Sequence, residues 1–227
     1  ERIRAKYPDL VIQCCASGGG RVNYGLMPYF DEFWVSDNTD AQQRLFIQWG
    51  SSMFFPACAM AQHVSASPNH QTRRVIPLKF RFDVAMTGRL GMEMKPSDLT
   101  EKELAYAKNA VATYKEIRPI IQQGNQYRII SPYEKTGYAS ELYITDDKSE
   151  AIFFAYKFEH YVNQFRPRFH FAGLDPAATY KLTEICRDGK TDHWEGRTFT
   201  GKFLMQQGVE IALNGLFSSK VIRVVKQ

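Results

Sequence analysis

The sequence predicts an α/β fold in its first part and an all-β fold in its second part. Short apolar runs alternate with helical patterns up to about residue 124, which is typical of parallel strands with helices packed outside them. Four such strand–helix units are half of a (β/α)8 TIM barrel, a fold that takes ~250 residues. Beyond residue 124, strand-like runs recur between turn signals such as Asp188-Gly189 and Asn214-Gly215. That pattern predicts an antiparallel β-sandwich.

We therefore expect two domains: residues 1–124 with half of a TIM barrel, and residues 125–227 with a β-sandwich. No low-complexity linker separates them, so we expect the second domain to pack on the first. The four strands expected in the first domain are Leu10–Cys15, Glu32–Val35, Met53–Met60 and Phe80–Met86.

Two helices are expected from their capping residues. Thr39 or Asp40 can cap a helix that runs to about residue 49. A second helix begins at the capping box of Thr100 and Glu103 and ends at Gly124; we expect Pro119 to kink it or end its regular part. The strands expected after it are Gln126–Ile130, Glu141–Thr145, Ala151–Phe158, Arg168–Phe171, Tyr180–Cys186, Glu210–Leu213 and Val221–Val225.

Composition excludes several classes of function. The net charge of +5 is spread along the chain, and no nucleic-acid-binding motif accompanies it, so we expect no nucleic-acid partner. No apolar run approaches the eighteen or so residues of a membrane span. His63 and His70 lie outside any HExxH pattern, and the glycines near residue 18 do not fit the dinucleotide fingerprint. We therefore expect neither a metal nor a cofactor.

Two loops that follow predicted strands carry the candidate chemistry, because functional side chains of parallel α/β barrels lie where strands end. The first loop holds Gly18–Gly20, which suit either a flexible turn or a backbone pressed against a ligand. In the second loop, Asp37 is expected at the strand tip, where it can do chemistry. Asp40 is expected to cap the next helix. The local sequence allows equally that both aspartates only build a turn and a cap.

Three segments in consistent order carry a resemblance to a known family. They are Cys15–Arg21 (CASGGGR), Trp34–Ala41 (WVSDNTDA) and His63–Thr72, which contains HVS and PNHQT. Together they resemble glycoside hydrolase family 36, the α-galactosidases also called melibiases. Asn23 and Arg73 depart from the Asp and Gly that are common in that family, which bears on fine substrate preference.

The resemblance implies a retaining enzyme that removes terminal α-D-galactose from oligosaccharides such as melibiose and raffinose, without a cofactor. Retaining chemistry uses two carboxyl groups ~5–5.5 Å apart, a nucleophile and a general acid/base. By resemblance, Asp37 is the acid/base, and Cys15 and Gly18 line the galactose pocket. Trp34 and Asn38 are expected as pocket walls or as support behind them.

The resemblance also implies a nucleophile in a Lys-x-Asp-x-Asn segment on an earlier strand, and no such segment precedes Cys15. We therefore expect strands five to eight of the barrel and the closing sandwich: the C-terminal portion of a larger enzyme, inactive alone and homo-oligomeric in its full-length form. Two alternatives stay open. One is an α-N-acetylgalactosaminidase of the same family, and the other is a non-catalytic carbohydrate-binding or scaffold protein.

Overall fold

The computed structural model describes residues 1–162 and 164–227. Its first part is a four-stranded parallel sheet with helices. The strands are β1 (Gln13–Cys14), β2 (Glu32–Trp34), β3 (Met60–Ser65) and β4 (Arg89–Glu93). The helices are α1 (Arg2–Lys6), α2 (Ala41–Ser52), α3 (Leu78–Ala85) and α4 (Glu101–Gln123). The sheet order β1-β2-β3-β4 follows the chain, and every neighbouring pair is parallel. The parallel α/β arrangement that the alternating pattern predicts is thus confirmed.

Two of the four expected strands are wrong. The third was expected over Met53–Met60, but residues 53–59 form turns and a short 3-10 helix, and β3 begins only at Met60. The fourth was expected over Phe80–Met86, where the structure has helix α3 instead. Seven of the eight residues of α3 are buried. Its charged residues Lys79, Arg81 and Asp83 alternate with apolar ones, which is the pattern of a strand.

Helix α4 follows its sequence signals at both ends but not in the middle. The hydroxyl of Thr100 accepts from the amide of Glu103, whose carboxylate accepts in return from the amide of Thr100, so the capping box is confirmed. The helix runs through Pro119 to its cap at Gly124, so the earlier end expected at Pro119 is wrong. In the described part of the chain, no helix is both long and apolar enough to cross a bilayer.

The second part is antiparallel throughout, as predicted. Its elements are β5 (Asn125–Ile130), β6 (Tyr138–Ile144), β7 (Glu150–Lys157), β8 (Arg168–Phe169), β9 (Thr179–Ile185), β10 (Thr198–Thr200), α5 (Gly201–Gln206), β11 (Val209–Glu210) and β12 (Ser218–Lys226). Six of the strands form one sheet in the order β10-β9-β12-β7-β6-β5, and β8 pairs with β11. Six of the seven expected strands overlap observed ones by two residues or more, whereas the strand expected over Glu210–Leu213 shares only Glu210 with β11; β10 and α5 are additional.

The six-stranded sheet buries both of its faces. On one face, Phe153 of β7 lies in an apolar core with Phe169 of β8 and with Trp194. On the opposite face, the next residue, Phe154, lies in a second core with Ile117 and other residues of α3 and α4. Successive side chains of a strand point to opposite faces, so this one strand contributes to two cores.

Three hydroxyl groups fix this sheet to the first part of the chain. The Oη atom of Tyr143 donates to the carbonyl of Thr87 at 3.0 Å, and that of Tyr156 donates to the carbonyl of Asp83 at 2.9 Å. The Oγ atom of Ser219 donates to the carboxylate of Asp83 at 2.7 Å. The second part therefore packs on the first, as expected from the absence of a linker.

Candidate active site

The carboxyl ends of the four parallel strands meet at one edge of the sheet, and an open hollow lies there. Three residues predicted to form the site, Cys15, Trp34 and Asp37, line this hollow. The full lining set is Gln13, Cys15, Trp34, Asp37, His63, His70, Gln71, Met92 and Glu93. Residues far apart in the sequence are thus brought together at the place where barrel folds carry their chemistry.

Asp37 follows β2 and is exposed at the rim of the hollow. The indole Nε1–H of Trp34 donates to its carboxylate oxygen Oδ1 at 3.0 Å. Because Trp34 is buried, 9% exposed, this donor is held by packing. One oxygen of an otherwise exposed carboxylate therefore has a fixed partner.

The glycine loop after β1 lies directly against the loop that carries Asp37. Gly18 has φ +69°, and a methyl group on it would stand 2.6 Å from the backbone nitrogen of Asp37. Gly19 has φ +86°, and a methyl group there would stand 2.8 Å from the carbonyl oxygen of Trp34. Both glycines thus combine a left-handed backbone with a contact that leaves no room for a Cβ atom. Gly18 touches Asp37, and it is not one of the residues that line the hollow.

Asn38 lies behind Asp37 and stabilises the turn. Its Oδ1 accepts from the amide of Asp40 at 3.1 Å, and its carbonyl accepts from Nε of Arg44 at 2.7 Å. Asn38 is half-buried and lies outside the lining of the hollow. Of the two positions expected for it, the structure places it in the supporting one.

Asp40 is structural, as its position at a helix start predicts. Its carboxylate is fully buried and accepts from the amides of Gln42 and Gln43, the first turn of α2. It also accepts from the hydroxyl of Thr72 at 2.5 Å and forms an ion pair with Arg74 at 2.6 Å. All of these partners stabilise the start of α2, so Asp40 has no part in lining the hollow.

Arg44, on α2, is a buried cation that donates hydrogen bonds to the loop that carries Asp37. It is 2% exposed, and it donates to the carbonyl of Ser36 at 2.6 Å and to that of Asn38 at 2.7 Å. Burial lowers the pKa of its guanidinium to about 10, which leaves it charged at neutral pH. Arg44 lies three residues beyond the second resembling segment, Trp34–Ala41.

His63 forms one wall of the hollow as a neutral ring. Its centroid lies 4.2 Å from that of Trp34 in an edge-on contact, and a methyl group on Gly91 would stand 2.8 Å from it. Burial, with a smaller contribution from the charge of Arg44, lowers the pKa of His63 to about 4. Within the described residues, its buried Nδ1 atom has no hydrogen-bond partner.

Several lining residues escaped the sequence interpretation. Glu93 at the end of β4 was missed because β4 itself was missed. His70 and Gln71 lie in the third resembling segment, which was the available signal for them. Among the described residues, no group of three or more His, Cys, Asp or Glu side chains is arranged to hold a metal ion.

Two models of known protein families match this chain. The melibiase family model matches residues 1–124, more than half of the chain. The chain belongs to the melibiase family. A second model, the glycosyl hydrolase family 36 C-terminal domain, matches residues 138–224. The family resemblance inferred from the loops of Cys15 and Asp37 is thereby confirmed.

Relatives cover the whole chain but are much longer. The chain is 37% identical over 228 residues to a probable alpha-galactosidase C of Aspergillus flavus. The match covers 100% of this chain and 29% of that protein. Among solved structures, the GH36 alpha-galactosidase AgaB from Geobacillus stearothermophilus matches with a TM-score of 0.90 and 35% identity, over 100% of this chain and 30% of its own. A variant of AgaA from the same organism, solved in complex with raffinose, matches with a TM-score of 0.90 and 34% identity, over 99% and 30%. This melibiase chain thus spans about 30% of the length of the relatives it matches.

Proposed function

We propose that this chain supplies the general acid/base of a retaining α-galactosidase that removes terminal non-reducing α-D-galactose from oligosaccharides such as melibiose and raffinose. The observation that carries the proposal is the position of Asp37, at the tip of a parallel strand, facing an open hollow and held by the indole of Trp34. Membership of the melibiase family and the raffinose bound by a relative support the same substrate class.

In the proposed mechanism, Asp37 acts twice. In its protonated form it gives a proton to the glycosidic oxygen as the bond to the anomeric carbon breaks and a nucleophilic carboxylate bonds that carbon. As a carboxylate it then takes a proton from the water that attacks the same carbon, which releases galactose and restores both groups. We propose that the nucleophile comes from outside these 227 residues, because they contain no Lys-x-Asp-x-Asn segment ahead of Cys15.

The fold is compatible with an acid/base that comes from this chain and a nucleophile that comes from outside it. We propose that the parallel sheet is strands five to eight of a TIM barrel in a domain of residues 1–124. Residues 125–227 would form the closing β-sandwich domain. The chain-order parallel pairing of β1 to β4 supports the first assignment, and the two cores on either side of the six-stranded sheet support the second.

The test is Asp37→Ala in the full-length protein, with kcat/KM measured on raffinose and on a dinitrophenyl α-galactoside. A general acid contributes about 10²–10⁴-fold, and a leaving group that needs no proton escapes most of that loss. We therefore expect a large loss on raffinose and a small one on the activated substrate. Added azide should raise turnover of the activated substrate, because the anion attacks the glycosyl-enzyme without a base.

The matched control is Asp40→Asn, three residues away. Asp40 is buried in the cap of α2, so its replacement should lower both rates together. If Asp37→Ala lowers both rates equally while Asp40→Asn acts selectively on raffinose, the assignment of Asp37 is wrong. If the wild-type full-length protein binds galactosides without turnover, the chain belongs to a binding protein. A preference for the N-acetyl analogue would instead identify an α-N-acetylgalactosaminidase.

A further inference from the structure

We infer that Arg44 is a positioning residue for Asp37, a role that rests on the proposed function of Asp37 as the acid/base. Arg44 touches no substrate atom in this scheme. It acts through two routes that converge on the same carboxylate: one through the backbone on both sides of Asp37, and the other through the indole of Trp34.

The backbone route is a pair of hydrogen bonds that bracket Asp37. Arg44 donates from Nη2 to the carbonyl of Ser36 at 2.6 Å and from Nε to the carbonyl of Asn38 at 2.7 Å. These are the residues immediately before and after Asp37. A guanidinium presents its donors in a rigid planar fork, so one side chain holds two peptide units, Ser36–Asp37 and Asn38–Thr39, which limit where the Asp37 side chain can point.

The side-chain route passes through Trp34. The guanidinium carbon of Arg44 lies 5.0 Å from the centroid of a Trp34 ring, within the range of a cation–π contact. The same indole donates to Oδ1 of Asp37 at 3.0 Å. Arg44 therefore also supports the donor that holds the carboxylate.

Arg44 is itself fixed. It lies on α2 and is 2% exposed, and the N-terminus of α2 is held by Asp40 and its ion pair with Arg74. The Nη1 atom of Arg44 also lies 3.4 Å from Oε1 of Gln62 on β3. The Asp37 loop is thus tied to a helix and to the neighbouring strand.

The chain contains a matched control for this role. Arg81 on α3 is also buried, 6% exposed, and it also holds two carbonyls, those of Ile76 at 3.0 Å and Ser65 at 2.5 Å. Those carbonyls belong to the end of β3 and the segment before α3, and neither flanks Asp37. Replacing Arg81 removes the same kind of buried donor and leaves the Asp37 bracket intact.

A positioning role and a purely structural role of Arg44 differ in the step that they affect. A loop that merely folds less well reduces the amount of active enzyme, and all substrates lose rate in the same proportion. A displaced acid slows only the transfer of a proton to the leaving group, and a misplacement of about 1 Å can cost on the order of 100-fold. The ratio of kcat/KM on raffinose to kcat/KM on a dinitrophenyl α-galactoside separates them, because the concentration of folded enzyme cancels in it.

The experiment compares Arg44→Met, Arg44→Lys and Arg81→Met in the full-length protein. We expect Arg44→Met to lower the ratio by about 10- to 100-fold and Arg81→Met to leave it within twofold of wild type. Arg44→Lys, which keeps the charge and can reach one carbonyl, should restore part of the ratio. If Arg44→Met does not fold, Arg44→Lys alone decides, with an expected fall in the ratio of about tenfold.

Two results overturn the inference. The first is an unchanged ratio in the Arg44 variants, and the second is an equal fall in Arg81→Met, which would show a general loosening of the sheet edge. Asp37→Ala separates this failure from failure of the proposed function. If Asp37→Ala lowers the ratio and the Arg44 variants do not, only the positioning role is wrong. If Asp37→Ala also leaves the ratio unchanged, the proposed function itself fails.

Discussion

Gly18 stands so close to Asp37 that the two loops share one surface. A methyl group on Gly18 would lie 2.6 Å from the backbone nitrogen of Asp37 and 3.2 Å from its Cγ atom. The glycine at this position therefore determines where the carboxylate lies, although 18 residues of chain separate the two.

Gly18→Ala should displace Asp37 and lower kcat/KM on raffinose by about 100-fold, the cost of a misplacement of roughly 1 Å. Kinetics on the full-length protein measure this. Gly196→Ala is the control, because Gly196 has nearly the same φ, +71°, but open space around its Cα. Both variants pay about 1–2 kcal/mol for the left-handed backbone, so a similar loss of activity in both would contradict the contact argument.

Trp34→Phe should retain the ring that contacts Arg44 and His63 and lose the N–H that binds Asp37. A hydrogen bond to a charged group contributes about 1.5–3 kcal/mol, so we expect kcat/KM on raffinose to fall by about 10- to 100-fold. Trp194→Phe removes an equivalent bond, from Nε1 to Oδ2 of Asp192 at 3.0 Å, inside the β-sheet core. It should lower the thermal midpoint without selective loss on raffinose; the opposite pattern would refute the role of Trp34.

Ser219→Ala should weaken the contact between the two parts of the chain. The Ser219 hydroxyl donates to the carboxylate of Asp83, which is fully buried and whose pKa is raised by that burial. The same oxygen also accepts from Nζ of Lys79 at 2.7 Å, so the variant removes one of its two donors; the loss of a hydrogen bond to a buried charge costs about 1–3 kcal/mol, measurable as a lower thermal midpoint. The neighbouring Ser218 is half-buried and donates only to the carbonyl of Gly215, so Ser218→Ala should change the midpoint little. Equal shifts would argue against the interface bond.

His63 should make the protein lose stability on acidification. Its pKa is lowered from 6.5 to about 4 by burial, so the unfolded chain binds a proton below about pH 6.5 that the folded chain rejects until about pH 4. Stability rises with pH wherever the unfolded state binds more protons, so this contribution is lost as the pH falls from 6.5 to 4. In His63→Phe, the thermal midpoint should depend less on pH over that window. His160→Phe, at an exposed position, should keep the wild-type slope, and a flat profile in both would contradict the assignment.

The sequence predicted those parts of the site that depend on local chemistry. Asp40 was expected to cap α2 because a carboxylate at a helix start satisfies free amides, and it does so. The capping box of α4 and the antiparallel strands were predicted for similar reasons, since capping and turn residues act over a few positions. The candidate residue Asp37 emerged from its place after a strand.

The parts that were missed depend on tertiary burial. Helix α3 is buried on nearly every side, including two of its three charged residues, and the alternation of charged and apolar residues led to its prediction as a strand. Strand β3 carries Gln62 and His63, polar residues that a buried parallel strand tolerates because it ends at a site. The contacts that Arg44 and Gly18 make with the Asp37 loop are tertiary, and no local sequence pattern shows them.

The strand that carries Phe153 and Phe154 contributes one residue to each of two cores, and Tyr143 and Tyr156 donate hydrogen bonds to carbonyls in the first part of the chain. The change of topology near Gly124 is therefore not a boundary at which the two parts of the chain can separate. If recombination between distant homologues exchanged the segment after Gly124, the incoming segment would have to supply matching packing partners for α3 and α4. We expect the two parts to evolve as a single inherited unit, with compensating substitutions on the two sides of their shared core.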